Sequence, residues 1–279
     1  MNIRFGFDLV LDFPARTPLV LLLHTRPEIA PYVLKSQEIQ TDPGVALTPF
    51  IDSFGNLATR TLAPAGRLRL SLESLCSVSG EPDPVQPEAR QHTVDTLPPD
   101  ALRFLASSRF CESERLLDFA WSRFGQTRPG WDRVQTVCDY VHHHLRFDYS
   151  QARPTRTAFE AWDEGVGVCR DFAHLAIALC RCLNVPARYA TGYLGDIGVP
   201  PDPQPMDFSA WFEVFLGGQW HVFDARHNTR RIGRIVMARG RDAVDCAFLT
   251  SFGPHFLRTF NVITEAVAPV EHFQEAATA

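Results

Sequence analysis

Apolar residues recur at Phe172, Leu175, Ala176, Leu179, Cys182 and Leu183, the spacing of one buried face of an α-helix. Asn184 and Pro186 close this helix, and Gly165 and Gly167 lead into it, so Cys169 falls in or before its first turn. The same periodicity predicts a helix over 113–124, through Leu116, Leu117, Phe119, Ala120 and Phe124. It predicts another over 129–145, through Trp131, Val134, Val137, Cys138, Val141 and Leu145. Elsewhere the pattern is that of strands. Thr17 to Leu23 is a continuous apolar run, and residues 67–73 alternate strictly. Residues 45–51 and 57–62 flank a turn at Asp52 to Asn56, where Asp52 and Asn56 read as turn formers. Late in the chain, strands are expected over 187–194, 208–216 and 219–224, with Gly217-Gly218 as a two-residue hairpin turn between the last two.

These elements give an α+β chain. Residues 1–95 form an N-terminal β domain of sandwich-like or barrel-like form, and residues 96–265 form a mixed core. Residues 266–279 form a frayed tail. Five prolines between Glu81 and Asp100 mark a linker or an extended surface strap. Gly195 to Asp207 holds four prolines and reads as a surface loop.

Composition narrows the class of function. A net charge of −5 over 279 residues gives no basis for a nucleic-acid partner. Seven Arg or His residues between Arg226 and Arg241 read as a partly solvated face or as anion contacts. The N-terminus lacks a signal-peptide pattern, and the early apolar run Leu19 to Leu23 is too short to span a bilayer, so no membrane association is expected. The seven cysteines have no disulfide-framework spacing, which points to free thiols and a cytoplasmic location.

Cys169 carries the candidate chemistry. Unpaired N–H groups and the dipole at a helix start favour a thiolate, and the preceding glycines permit close approach of a substrate. The competing reading is a small buried hydrophobe that happens to open a helix. Metal sites are not expected. His142, His143 and His144 point about 100° apart on their helix, and Cys180 and Cys182 diverge by about 200°. No acidic loop of calcium-ligand spacing is present, and no cofactor is implied. Arg170 and Asp171 read as a structural pair, and Trp162 and Trp211 as core rather than cleft walls.

A resemblance sharpens this picture. The stretch Gly165-Val166-Gly167-Val168-Cys169-Arg170-Asp171-Phe172-Ala173-His174-Leu175 is followed by Pro186-Ala187-Arg188-Tyr189 and Gly192-Tyr193-Leu194. Ala210-Trp211, Phe223-Asp224-Ala225-Arg226-His227-Asn228 and Gly240-Arg241-Asp242 come next. This series resembles the bacterial transglutaminase-like family of cysteine proteases that carry an N-terminal β domain. The resemblance implies a papain-like core in which a cysteine at a helix start faces a sheet that supplies histidine and then aspartate. Cys169 matches the nucleophile, with its own backbone N–H as an oxyanion donor, and Asp224 matches the carboxylate that orients the base. The base itself should stand immediately before Ala210-Trp211, where this chain has Ser209.

A serine cannot take the thiol proton at neutral pH or protonate a leaving amine, work usually worth about 10²–10⁴ in rate. Three histidines come up as replacements, and none is expected to serve. His221 lies an odd number of positions from Asp224 in a strand, so it faces the other way. His174 lies about 140° round the helix from Cys169 and reads as structural. His227 lies past the strand end and could fold back. Two functions follow. One is attack on peptide or glutamine-type amides by Cys169, by hydrolysis or acyl transfer, impaired by Ser209. The other is a catalytically inactive relative that binds a peptide or protein partner in the retained cleft.

Overall fold

A computed structural model describes residues 1–202 and 206–268 of the chain. The first half of the order is β1 (Asn2–Phe13), β2 (Thr17–Leu21), β3 (Val33–Lys35), β4 (Gln40–Asp42), β5 (Thr48–Ile51), β6 (Leu57–Ala63) and β7 (Gly66–Ser77). Then come α1 (Pro99–Leu102), α2 (Ser113–Phe124), α3 (Trp131–His144), β8 (Arg146–Phe147), α4 (Ala158–Glu164), β9 (Val166–Gly167) and α5 (Cys169–Cys182). The chain continues through β10 (Ala187–Tyr193), β11 (Ser209–Leu216), β12 (Gln219–Phe223), β13 (Ile235–Gly240), β14 (Leu249–Ser251) and β15 (Phe256–Val267). The fold is α+β, as the sequence pattern predicts. No helix among the described residues is long and apolar enough to cross a membrane.

The early strands form two antiparallel sheets. One has the order β15-β1-β7-β3, with β4 also on β7, and the other has the order β14-β2-β6-β5. In β1 the alternation is complete: Ile3, Phe5, Leu9 and Leu11 point inward and are buried. They meet Leu19 and Leu21 of β2 and Leu68 and Leu70 of β7, and the same cluster takes in Tyr193, Ile235 and Met237 from the later sheet. That shared apolar cluster fixes the β layers against the rest of the molecule.

The division expected at residue 265 does not describe these pairings. β15 lies along β1 from Asn2↔Val267 to Asp12↔Phe256, and β14 pairs with β2. Residues 249–267 therefore complete the N-terminal sheets instead of belonging to the mixed core. The physical reason is that β1 has two edges to satisfy, and β7 covers only one of them. The tail expected from 266 starts inside β15. Residues 269–279, and residues 203–205 of the proline-rich loop, lie outside the described residues.

In the core, α5 packs on α2, α3 and α4 on one side and on β10 and β11 on the other. Every α5 residue except Arg170 is buried, so this helix is a central pillar. The sheet beside it has the order β12-β11-β10-β13. All eight residues of β11 are buried, as expected for a strand covered on both faces. Residues 82–91 run as an extended strap over the core. Trp131 N donates to Ala89 O at 3.1 Å and Gly217 N to Arg90 O at 2.9 Å.

Candidate active site

The start of α5 is held by a carboxylate. Asp171 accepts from Val168 N through Oδ2 at 3.0 Å, reaching back across the first turn to satisfy a backbone donor. Its oxygens also meet Arg156 Nη1 and Arg170 Nη2, both at 3.2 Å. Arg170 and Asp171 thus hold the backbone beside Cys169. Gly167 is required by the same packing, because a Cβ there would come within 2.6 Å of Asp171 Cβ. Gly165 ends α4 with φ +66°, a left-handed cap that turns the chain into the approach to Cys169.

The helix start does not by itself make a thiolate. Burial pushes the Cys169 thiol from its ordinary 9.0 up to about 12, and Asp207 adds to that rise; Arg226 and the Ala210 backbone N–H oppose it. A rise of that size corresponds to about 4 kcal/mol against ionisation. A helix terminus typically returns about 0.3–1 kcal/mol, so desolvation wins.

Ser209 opens β11 and is buried, and its hydroxyl makes no hydrogen bond among the described residues. Its carbonyl accepts from Thr191 Oγ1 at 2.9 Å across the β10–β11 ladder.

Asp224 follows the last residue of β12, where strand alternation stops. Its Oδ1 accepts from the backbone N–H groups of Arg226 at 3.1 Å and His227 at 3.0 Å, the local turn that aspartate favours. Its Oδ2 accepts from His227 Nδ1 at 2.9 Å and Arg234 Nη2 at 2.8 Å. Burial pushes this carboxyl up, but Arg234 and then His227 outweigh it and hold it far below the usual carboxylate range. The possibility that His227 folds back is therefore realised. With Nδ1–H committed to Asp224, the neutral ring presents Nε2 as its acceptor. His221 instead bonds Leu216 O at 3.1 Å and lies edge-on to Trp131. His174 Nε2 accepts from Ala243 N at 3.1 Å, its ring stacked on Phe110 in the interior.

Two cavities meet here. The larger, about 660 Å3, is lined by Cys169, Tyr189, Asp207, Met237, Phe248 and Phe260 among others. The smaller, about 70 Å3, is lined by Tyr149, Asp207, Ser209, Arg226 and His227 among others. Asp207 borders both. It accepts from Tyr149 Oη through Oδ1 at 3.4 Å. Burial raises its carboxyl above the ordinary value, against the pull of Tyr149 and Arg226. Arg226 lies over the Phe147 ring at 3.9 Å. Cys169 lines the larger cavity and Ser209 the smaller; Asp224 lines neither and reaches the smaller one through His227, beside Asp207, Tyr149 and Arg226. Asp207 was legible as a charge directly before an apolar strand; nothing in the pattern pointed to Tyr149.

A cysteine at the start of a buried helix, set against an antiparallel sheet that ends in an aspartate, defines a transglutaminase-like domain. Residues 122–225 match the Transglutaminase-like superfamily. The whole fold is similar to a crystal structure from Cytophaga hutchinsonii described as a "putative cysteine protease". The TM-score is 0.84 at 28% identity, covering 97% of this chain and 92% of that one. The uncharacterized protein ML0607 of Mycobacterium leprae is 33% identical over 85 residues, which are 29% of this chain and 30% of that relative. The periplasmic domain of TgpA from Pseudomonas aeruginosa aligns over 80% of this chain and 90% of its own at 14% identity. Its TM-score of 0.39 is too low to argue from.

Proposed function

We propose that Cys169 is the nucleophile of an acyl-transfer reaction on a peptide or glutamine-type amide, forming an acyl-thioester that is hydrolysed or passed to an amine. One observation carries this reading: the Cys169 thiol sits in the first turn of α5, on the wall of a cavity of about 660 Å3 large enough for a substrate side chain. Ser209 stands where the family places its base, and a thiol raised to about 12 has about one molecule in 10⁵ ionised at pH 7. Turnover is accordingly slower than with histidine at that position. Seven unbridged cysteines support a reducing, cytoplasmic setting.

A second reading, a catalytically inactive binder of a peptide or protein, is favoured by the same protonated thiol and by Ser209. The two separate with p-nitrophenyl acetate as acyl donor and mass spectrometry of the Cys169 peptide. The enzyme reading expects an acetyl adduct on Cys169 at pH 7, its loss in Cys169→Ala, and a rate at least about tenfold higher in Ser209→His. No adduct in the unaltered protein, with one appearing in Ser209→His, selects the binder. Turnover that survives Cys169→Ala sinks the enzyme reading.

A further inference from the structure

We propose that Asp207 is the general base of this site, taking the Cys169 proton in place of the histidine that Ser209 displaces. The inference rests on Cys169 being the nucleophile. The first argument is position. Asp207 is the carboxylate that borders the Cys169 cavity and also the small cavity that contains Ser209, and its charge acts on the Cys169 thiol. The second is pairing. The other carboxylates of the candidate site are consumed: Asp171 by Val168 N, Arg156 and Arg170, and Asp224 by Arg234, His227 and two backbone donors. Among the described residues Asp207 has, besides its own backbone N–H, one long bond, from Tyr149 Oη at 3.4 Å, which leaves acceptor capacity for a thiol proton.

The third argument is charge. The charged groups that act on the sulfur are Asp207 and Asp171, which oppose its ionisation, and Arg226, which favours it; Tyr149 and His227 line the smaller cavity beside them. Arg226 is the cation of this set and offsets negative charge as the proton leaves sulfur. Burial raises the Asp207 carboxyl, which brings its proton affinity closer to that of the thiol and makes it a better base than an exposed aspartate.

The reaction balances on these groups. Asp207 accepts the S–H proton while the sulfur electron pair forms the bond to the amide carbon, and the carbonyl π pair moves to oxygen. When that pair returns, the C–N bond breaks and the leaving nitrogen takes the proton from the Asp207 carboxylic acid. Water or an acceptor amine then attacks the thioester, again losing a proton to Asp207. The C–S bond breaks, and the departing sulfur recovers that proton.

The test turns on a sign. If Asp207 were only a nearby negative charge, removing it would ease thiolate formation and speed every reaction of Cys169. If it is the base, acyl transfer slows. Asp207→Asn in the full chain is compared with the unaltered protein at pH 7 by two probes. One is p-nitrophenyl acetate, read as acetyl on the Cys169 peptide, and the other is iodoacetamide, which needs only thiolate. The expected result is acyl transfer slowed about 10²-fold or more, with alkylation unchanged or faster. Asp207→Glu keeps the carboxylate and is expected to retain at least a tenth of the rate, which guards against a folding defect in Asp207→Asn. Acyl transfer in Asp207→Asn as fast as in the unaltered protein overturns the proposal while Cys169 stands. Acyl transfer that survives Cys169→Ala, or no acetyl on Cys169 in the unaltered protein, overturns the nucleophile and Asp207 with it.

Discussion

Two aspartates of the candidate site are treated in opposite ways by the chain around them. Asp224 sits where β12 has ended, and it receives four donors: Arg226 N, His227 N, His227 Nδ1 and Arg234 Nη2. Asp207 sits just before β11 begins, with a phenol at 3.4 Å. Asp224 is buried and Asp207 half-buried, so both lose hydration. Only the first is compensated in full, and its carboxyl is held low where the second is pushed up. Environment, not residue type, makes one carboxylate an anchor and leaves the other available for proton transfer.

Breaking the anchor should give the largest effect. Asp224→Asn removes one of two carboxylate partners of a buried Arg234, whose Nε still meets Asp83, and the loss expected is at the lower end of about 3–5 kcal/mol in urea unfolding. A loss below about 1 kcal/mol would show that the pair is not the anchor described.

Acid should act through the same group. A carboxyl depressed in the folded state gives stability that is complete above its unfolded value of about 3.9 and is lost as pH falls below it. Melting temperature should therefore drop more steeply below about pH 4 in the unaltered protein than in Asp224→Asn, and parallel curves would contradict the assignment. His174, buried neutral with its proton affinity lowered first by burial, adds an earlier decline of the same sign as pH falls through about 6.5.

The smallest effect belongs to the other aspartate. Asp207→Asn relieves an under-compensated, half-buried charge, so urea unfolding should change by less than about 1 kcal/mol or move towards greater stability. A loss comparable to that of Asp224→Asn would erase the contrast between the two.

Much of the scaffold of this site could be read directly. The 3.6-residue recurrence from Phe172 to Leu183 placed α5 and put Cys169 in its first turn, because a long, strongly periodic helix overrides weak local preferences. Gly217-Gly218, with φ of +58° and +86°, placed the β11–β12 hairpin. His227 was harder. Alternation rules hold only inside a strand, and Asp224 lies one residue beyond β12, where its own turn decides what it meets. The convergence of Tyr149, Asp207 and Arg226 was out of reach, since it depends on three loops being brought together by packing. The pairing of β15 with β1 was out of reach for a related reason: a periodic pattern shows that a strand has a face to bury but not which distant segment will cover its edge.

That last pairing has a consequence for how the chain is made. β1 finds β7 early, but its other edge pairs with residues 256–267, and Phe260 and Leu257 of that strand also wall the Cys169 cavity. A growing chain therefore carries an open, apolar-backed strand edge until residues 256–267 have been made, a period in which such edges invite aggregation. The cavity acquires its far wall only when the same late strand docks, so closing the sheet and completing the cleft are one folding event.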